Sequence, residues 1–365
     1  MGKISARSFA VTAVVYYFGN AYILGSNSHV GRDDWLCMLI ACIFAVPPVL
    51  LIAYLAETHP GQDLFTIFKQ ALGNTICRVL ALIYGVYAVF LLSMSLSCFS
   101  RYVCTCVLLQ TPKSVMALML AVCAYLFAAK GPSGIGRCAS FLFPAVFLAV
   151  LLAFITSVPS AHFKHIFPIG RGDIWRGVYR SMAFPFVEPV LLFSLIPSVE
   201  DGTKKRHWLI PFLFSFAFLI LNCMRNTMVL GDGLAGILSF PTTHADSVVG
   251  YESLEQRLEV LTTMVPAACG LVEAVLATIF ASRAFDAFSG AAPNKISILG
   301  VLAAGFVICM LAYGTETALE YRSNIWPLVS LPLQFLVPAL CLLVENTRRT
   351  KKAKIFLQSL KKTMK

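Results

Sequence analysis

Apolar residues run along this chain in ten blocks whose lengths suit helices crossing about 30 Å of hydrocarbon. They cover residues 8–26, 35–57, 77–109, 114–129, 139–157, 176–197, 208–231, 256–284, 296–314 and 324–345. The third and eighth blocks exceed the ~20 residues a span needs, which predicts tilt or extension beyond the membrane. Pro47-Pro48 must kink the second block, because proline removes a helical donor.

The pattern is broken most sharply in the sixth block, at Phe184-Pro185-Phe186-Val187-Glu188-Pro189. A carboxylate at bilayer depth is costly, and two flanking prolines leave backbone polarity exposed, so this segment predicts a broken helix and a binding site. The bland alternative is that Glu188 is protonated or caps a helix end, without touching a ligand. In the first block, Phe18-Gly19-Asn20-Ala21 unwinds at little cost, since glycine and asparagine weaken a helix and asparagine can cap a half-helix. Taken alone, those residues are equally a small-residue packing patch. The two interruptions lie five spans apart, in corresponding positions of two five-helix halves. That is the expected mark of an inverted repeat with a midplane site.

Composition supports the membrane assignment. Of 365 residues, 58% are hydrophobic and 13% charged, with mean hydropathy +0.78; so few charges cannot cover a soluble globule of this size. The first block carries Tyr16, Tyr17 and Asn20 without a small-residue cleavage site, and is expected to be a span rather than a signal peptide. Both termini are expected on the cytoplasmic side. That face receives Lys3, Arg7, Lys69, Arg78, Lys130, Arg137, Lys204-Lys205-Arg206, Arg283, Lys295 and a basic tail, while most loop carboxylates fall on the other. The net charge of +11 therefore points to anionic headgroups or a cytoplasmic partner, and gives no sign of nucleic acid. The organisation expected is one transmembrane domain over 1–347, with a first repeat at about 8–157, a second at about 176–314, a last helix at about 324–345, and a tail over 348–365.

Other polar positions each carry two readings. Glu273 is a second intramembrane acid, one helical turn from Cys269, so both can face the same side. Tyr84 and Tyr87 could bond a ligand or fill the bundle, and packing is the safer expectation for either alone. Snorkelling to the interface accounts for Arg101 and Arg225, with a pair to an acid as the alternative for either. The twelve cysteines lie mostly in apolar runs, where a thiol packs as a small hydrophobe, and His162-x-x-His165 lacks companion ligands. Neither metal nor cofactor is expected. The long outward stretch Gly231 to Glu255 is expected to be a lid or a partner contact. Gly231-x-Gly233-x-x-Gly236 matches a dinucleotide fingerprint only by letter, since it follows a transmembrane helix and is expected to be a loop. No Walker lysine, H-E-x-x-H or Ser-His-Asp arrangement supports an enzyme.

Phe184-Pro185-Phe186-Val187-Glu188 with Phe193 and Pro197, Gln256-Arg257-Leu258-Glu259, Pro60-Gly61 and Phe18-Gly19-Asn20 together resemble the GerAB-type spore germination proteins. These are the permease-like B subunits of nutrient germinant receptors, in the amino acid-polyamine-organocation superfamily. The resemblance covers nearly the whole chain, and the order of its short motifs is the stronger signal. It implies an all-α, ten-helix membrane protein with 5+5 inverted repeats of LeuT-like type and broken first and sixth helices. It further implies a nutrient sensor, acting with A-type and C-type (lipoprotein) subunits in the spore inner membrane. Gly19 matches the family's first-helix glycine, Glu188 its sixth-helix acid, and Arg257 and Glu259 its Arg-x-Glu. Val187 stands where glycine is frequent, Gln256 where glutamate is, and Pro266 and Glu273 where tryptophan and lysine occur. The last change inverts a charge beside the site.

The ligand-contacting set expected is Gly19, Asn20, Ala21, Tyr87, Phe184, Phe186, Val187, Glu188, Cys269 and Glu273. Backbone N–H groups of the broken helices would take a carboxylate, and carbonyls or Glu188 an ammonium. The competing expectations are a proton-coupled amino acid transporter using Glu188 or Glu273 as carrier, and a structural scaffold or ion-conducting subunit with a degenerate site.

Overall fold

The computed structural model describes residues 2–19, 21–24, 30–170, 172–182, 188–248, 252–292, 294–312 and 325–348, with side chains throughout except at 23–24, 232 and 252–262. The described secondary structure is helical apart from one isolated parallel bridge between Ile4 and Val199.

The first apolar block is divided. Helix α1 (Ala6–Phe18) begins where Ser5 accepts the Ser8 N–H, and ends at Gly19; a short helix α2 (Ala21–Leu24) follows. The oxygen of Ser5 satisfies one of the four N–H groups that every helix start leaves open. Next come α3 (Asp34–Thr58), which carries Pro47 and Pro48, and α4 (Leu64–Leu72), capped by the Asp63 carboxylate. Helix α5 (Asn74–Tyr102) runs into a π turn, Val103–Val107, and is followed by α6 (Lys113–Ala128) and α7 (Pro132–Ser157).

The second half repeats the division. Helix α8 (Ile174–Ser181), capped by Asp173, is followed after the break by a 3-10 segment, Pro189–Ser198, that opens on Glu188. Then come α9 (Arg206–Ala235), the short α10 (Pro241–Ser247), α11 (Glu252–Ser289), α12 (Lys295–Ala312) and α13 (Ile325–Arg348).

Seven of the described helices are long and apolar enough to cross a membrane by themselves: Gly31–Thr58, Asn74–Val107, Pro132–Ser160, Arg206–Gly231, Thr263–Ser289, Lys295–Ala312 and Ile325–Arg348. Lys113–Ala128 and Pro189–Ser198 are shorter apolar helices. Burial sorts centre from rim. In α11, 83% of the most apolar stretch is buried, and in α5 67%, against 22% in α12. Accordingly α11 and α5 lie along one another, with α1, α6, α7 and α12 against them. Exposed Ile296, Leu299, Val307 and Leu311 leave α12 an apolar outer face of the kind a lipid environment accepts.

Candidate functional site

The first-helix break is set by backbone geometry. Gly19 has φ +25°, a conformation L side chains rarely adopt, and its N–H still reaches the Val15 carbonyl at 3.2 Å. A Cβ at Gly19 would stand 2.8 Å from the Tyr16 carbonyl oxygen and 3.0 Å from Glu273 Oε2. Glycine is thus required twice over, by its dihedral angle and by the carboxylate packed on it. The Cys269 thiol, one turn before Glu273 on α11, also reaches the Gly19 backbone, so the pair expected to share a face does so. Glu273 and Cys269 are both buried.

The sixth-helix break meets the same point. The Tyr16 hydroxyl donates to the Glu188 carbonyl oxygen at 3.1 Å, and Tyr16 lies within electrostatic reach of both the Glu188 and Glu273 carboxylates. Glu188 occupies the position before the Pro189–Ser198 segment, but its side chain makes no capping bond there, which disposes of the helix-cap reading. Pro189 has no N–H. That of Val190 donates to Gln334 Oε1 at 3.1 Å, and that of Leu191 turns back to the Glu188 carbonyl at 3.3 Å. The start of the segment is therefore already satisfied from within the protein.

Gln334 is the residue that sequence reasoning missed. It sits in a π turn of α13, Pro332–Leu336, is fully buried, and with its Nε2 donates to the Tyr87 hydroxyl at 3.1 Å. The neighbouring Tyr84 hydroxyl donates to the Leu333 carbonyl, and the Tyr87 ring stacks on Trp326 at 5.1 Å. The available signal was Pro332-Leu333-Gln334 with Pro338 beyond, a polar residue between two prolines in an apolar run, the same anomaly as Glu188. Of the other expected residues, Ala21 is buried at the start of α2, and Asn20, Phe184, Phe186 and Val187 lie outside the described residues. So do the side chains of Arg257 and Glu259.

For Arg225 the structure shows the acid pair in place of snorkelling. Arg225 is 4% exposed and points inward, where Nε donates to Ser157 Oγ at 2.7 Å, Nη1 to Asn222 Oδ1 at 3.2 Å, and Nη2 pairs with Asp246. A carboxylate at the end of α10 made burial cheaper than reaching for the interface. The described part of the stretch after Gly231 is likewise more ordered than a loop. Helix α9 continues through a kink at Gly231 (φ +77°) to Ala235, so the Gly231-x-Gly233 pattern lies in its kinked end. Helix α10 then docks on the first-helix break, where Thr242 Oγ1 donates to the Tyr22 carbonyl at 2.6 Å and accepts from Asn222 and Asn226 at 2.9 and 3.0 Å.

The opposite side is closed by different contacts. The Ile4 N–H donates to the Ser198 carbonyl at 2.8 Å, and Glu200 returns a bond to Ile4 at 3.1 Å. From α11, Arg283 reaches Asp63 at 3.3 Å and the Ser194 carbonyl at 2.9 Å. Burial pushes the Asp63 carboxyl up from its ordinary value, with Arg283 opposing.

Comparison with known proteins now decides the family. The model of the spore germination protein family, Spore_permease, matches residues 3–338. The chain belongs to that family. A relative, spore germination protein KB of Bacillus subtilis (strain 168), is 22% identical over 96% of this chain and 97% of its own length. Among solved structures, MhsT in complex with L-phenylalanine superimposes with TM-score 0.74 at 15% identity, covering 93% of this chain and 89% of that one. Mhp1, a nucleobase-cation-symport-1 family transporter in a closed conformation with bromovinylhydantoin bound, gives 0.58 at 12% identity, covering 90% and 76%. This spore germination family member is thus an all-α, multi-pass membrane protein with the LeuT-like transporter fold, with its first and sixth apolar blocks broken.

Proposed function

We propose that this chain is the nutrient-sensing B subunit of a spore germinant receptor, which binds an amino acid or similar small nutrient at the midplane and passes the event to A-type and C-type (lipoprotein) subunits. The observation that carries this reading is the meeting of Gly19, Glu188 and Glu273 around Tyr16. Two interrupted helices and a buried acid of α11 converge there, on a fold that in MhsT holds L-phenylalanine. The full contact set is Gly19, Asn20, Ala21, Tyr87, Phe184, Phe186, Val187, Glu188, Cys269 and Glu273. In this reading the chain crosses the spore inner membrane ten times, and the excess of basic residues on one side supports cytoplasmic termini with the basic 348–365 tail.

A receptor must bind its ligand differently in two states of the bundle. The test is nutrient-triggered germination of spores carrying Glu188→Ala or Gly19→Leu. The expected result is loss of response with wild-type protein levels; a normal response from abundant, folded variants would remove these residues from the mechanism. The second reading is a proton-coupled amino acid transporter, favoured by two buried carboxylates on a transporter fold. Gradient-dependent uptake in proteoliposomes that Glu188→Gln or Glu273→Gln abolishes would establish it.

A further inference from the structure

The far end of α11 holds another buried acid, which the meeting of the two broken helices does not use. Asp286 lies about 20 Å beyond Glu273 along the same helix, at ~1.5 Å per residue, and is 8% exposed. Its Oδ2 is buried without a hydrogen-bond partner, and none of the ion pairs among the described residues includes it. Arg283, one turn back, acts on it from a distance, but that guanidinium is on Asp63 and the Ser194 carbonyl. Lys295 opens α12 exposed and without an ion pair. A buried carboxylate in that state is costly unless something neutralises it.

What surrounds Asp286 is an excess of acceptors. Ser282, one turn before it on α11, is buried on the same side, and its Oγ meets Ser297 Oγ of α12 at 2.8 Å. Ser297 Oγ also donates to the Asn294 carbonyl at 2.7 Å, and lies within hydrogen-bonding reach of the Asp286 carboxylate. One Ser297 proton cannot satisfy both. Two hydroxyl protons in all are shared among a carbonyl, two hydroxyl oxygens and a carboxylate, and the last turn of α11 adds the negative end of its dipole. Half-buried Ser297 and exposed Asn294 leave this cluster a way in from solution.

We infer that Asp286, Ser282, Ser297 and the Asn294 carbonyl form a binding site for a monovalent alkali cation, at the corner where α11 passes to α12. Oxygen donors suit a hard ion, and a single carboxylate balances one positive charge, whereas a divalent ion would leave net charge buried. The site is separate from the meeting of Gly19, Glu188 and Glu273, and stands whether or not a nutrient binds there. A cation held by both serines ties α11 to α12.

The experiment is thermal unfolding of the full-length protein in lipid nanodiscs, in sodium, potassium or choline chloride at equal ionic strength, so that screening is the same in each. Sodium or potassium raises the midpoint over choline, and the rise saturates with concentration. Asp286→Asn abolishes that rise. Ser282→Ala and Ser297→Ala, which keep the charge and serve if the Asn variant fails to fold, each weaken the apparent affinity about fivefold. Equal midpoints in the three salts overturn the site, as does an alkali response that survives unchanged in Asp286→Asn or in both serine variants. A midpoint that follows pH alike in all three salts, and loses that dependence in Asp286→Asn, puts a proton there instead and overturns the cation. Magnesium chloride stabilising more than either alkali salt at equal ionic strength overturns it as well.

Discussion

Gly19→Ala is the most incisive perturbation of this site, because two separable costs fall on one methyl group. At φ +25° an L residue is strained by roughly 1–3 kcal/mol. The added Cβ would also sit 3.0 Å from Glu273 Oε2 and 2.8 Å from the Tyr16 carbonyl oxygen. The first cost belongs to the backbone and no neighbour can relieve it. The second is shared with Glu273, and shortening that side chain by one methylene draws the carboxylate away. The prediction is therefore a coupling: Gly19→Ala and Glu273→Asp each lower the unfolding midpoint of the purified protein, and the double variant is less destabilised than their sum by about 0.5–3 kcal/mol, the range for contacting residues. Denaturant unfolding in detergent, followed by tryptophan fluorescence, measures the four corners of the cycle. Additivity within ~0.5 kcal/mol would refute the contact. A Gly19→Ala protein as stable as wild type would refute the strained break itself.

Other consequences can be checked in the same preparation. Gln334→Leu leaves the Val190 N–H and the Tyr87 hydroxyl without their buried partner, and should cost about 1–3 kcal/mol with loss of nutrient response. Arg225→Met strands the buried Asp246 carboxylate and should destabilise by about 3–5 kcal/mol, whereas Arg225→Met with Asp246→Leu should recover most of that loss. Thr242→Val keeps the volume but removes the hydroxyl that joins α10 to the Tyr22 carbonyl, and should speed protease cleavage within 231–255 if that bond holds α10 down.

How much of this was legible in the sequence depends on the physics each residue obeys. The fold was readable because hydrocarbon demands long apolar helices, and a charge between prolines is too costly to be accidental. Glu188, Gly19 and Glu273 were accordingly marked as anomalies, and the structure brings all three to Tyr16. Gln334 was passed over although its prolines give the same signature, because an uncharged amide costs less to bury and stands out less against an apolar run. Arg225 reads two ways, as a snorkelling base or as the partner of an acid, because sequence places a base near the end of a span but cannot show that Asp246, 21 residues on, folds back to meet it. The α10 dock was hidden for the same reason: short polar helices between spans show their burial only once their partners, here Asn222 and the Tyr22 carbonyl, are in place.

Helix α11 gives a physical route from the site to the clasp that Arg283 makes with Asp63 and Ser194. Glu273 meets the first-helix break, and about 15 Å further along the same rod, at ~1.5 Å per residue, Arg283 grips Asp63 and the Ser194 carbonyl. That clasp is poised rather than strong. Burial raises the Asp63 carboxyl despite Arg283, so the ion pair does not fully repay its desolvation. A folded-state value above the unfolded one means the native state holds the proton more tightly. This contribution to stability is present below the unfolded value and is lost as pH rises through the folded one. Removing the two partners should then be unequal. Asp63→Asn should change stability by no more than about 1 kcal/mol at neutral pH, since it deletes a poorly compensated charge. Arg283→Met should cost more, about 2–3 kcal/mol, because it leaves both the half-buried carboxylate and the Ser194 carbonyl without their donor. Equal losses in the two variants, measured by unfolding at pH 7, would mean that the clasp is an ordinary stabilising pair, and the route along α11 from the site to the clasp would fall.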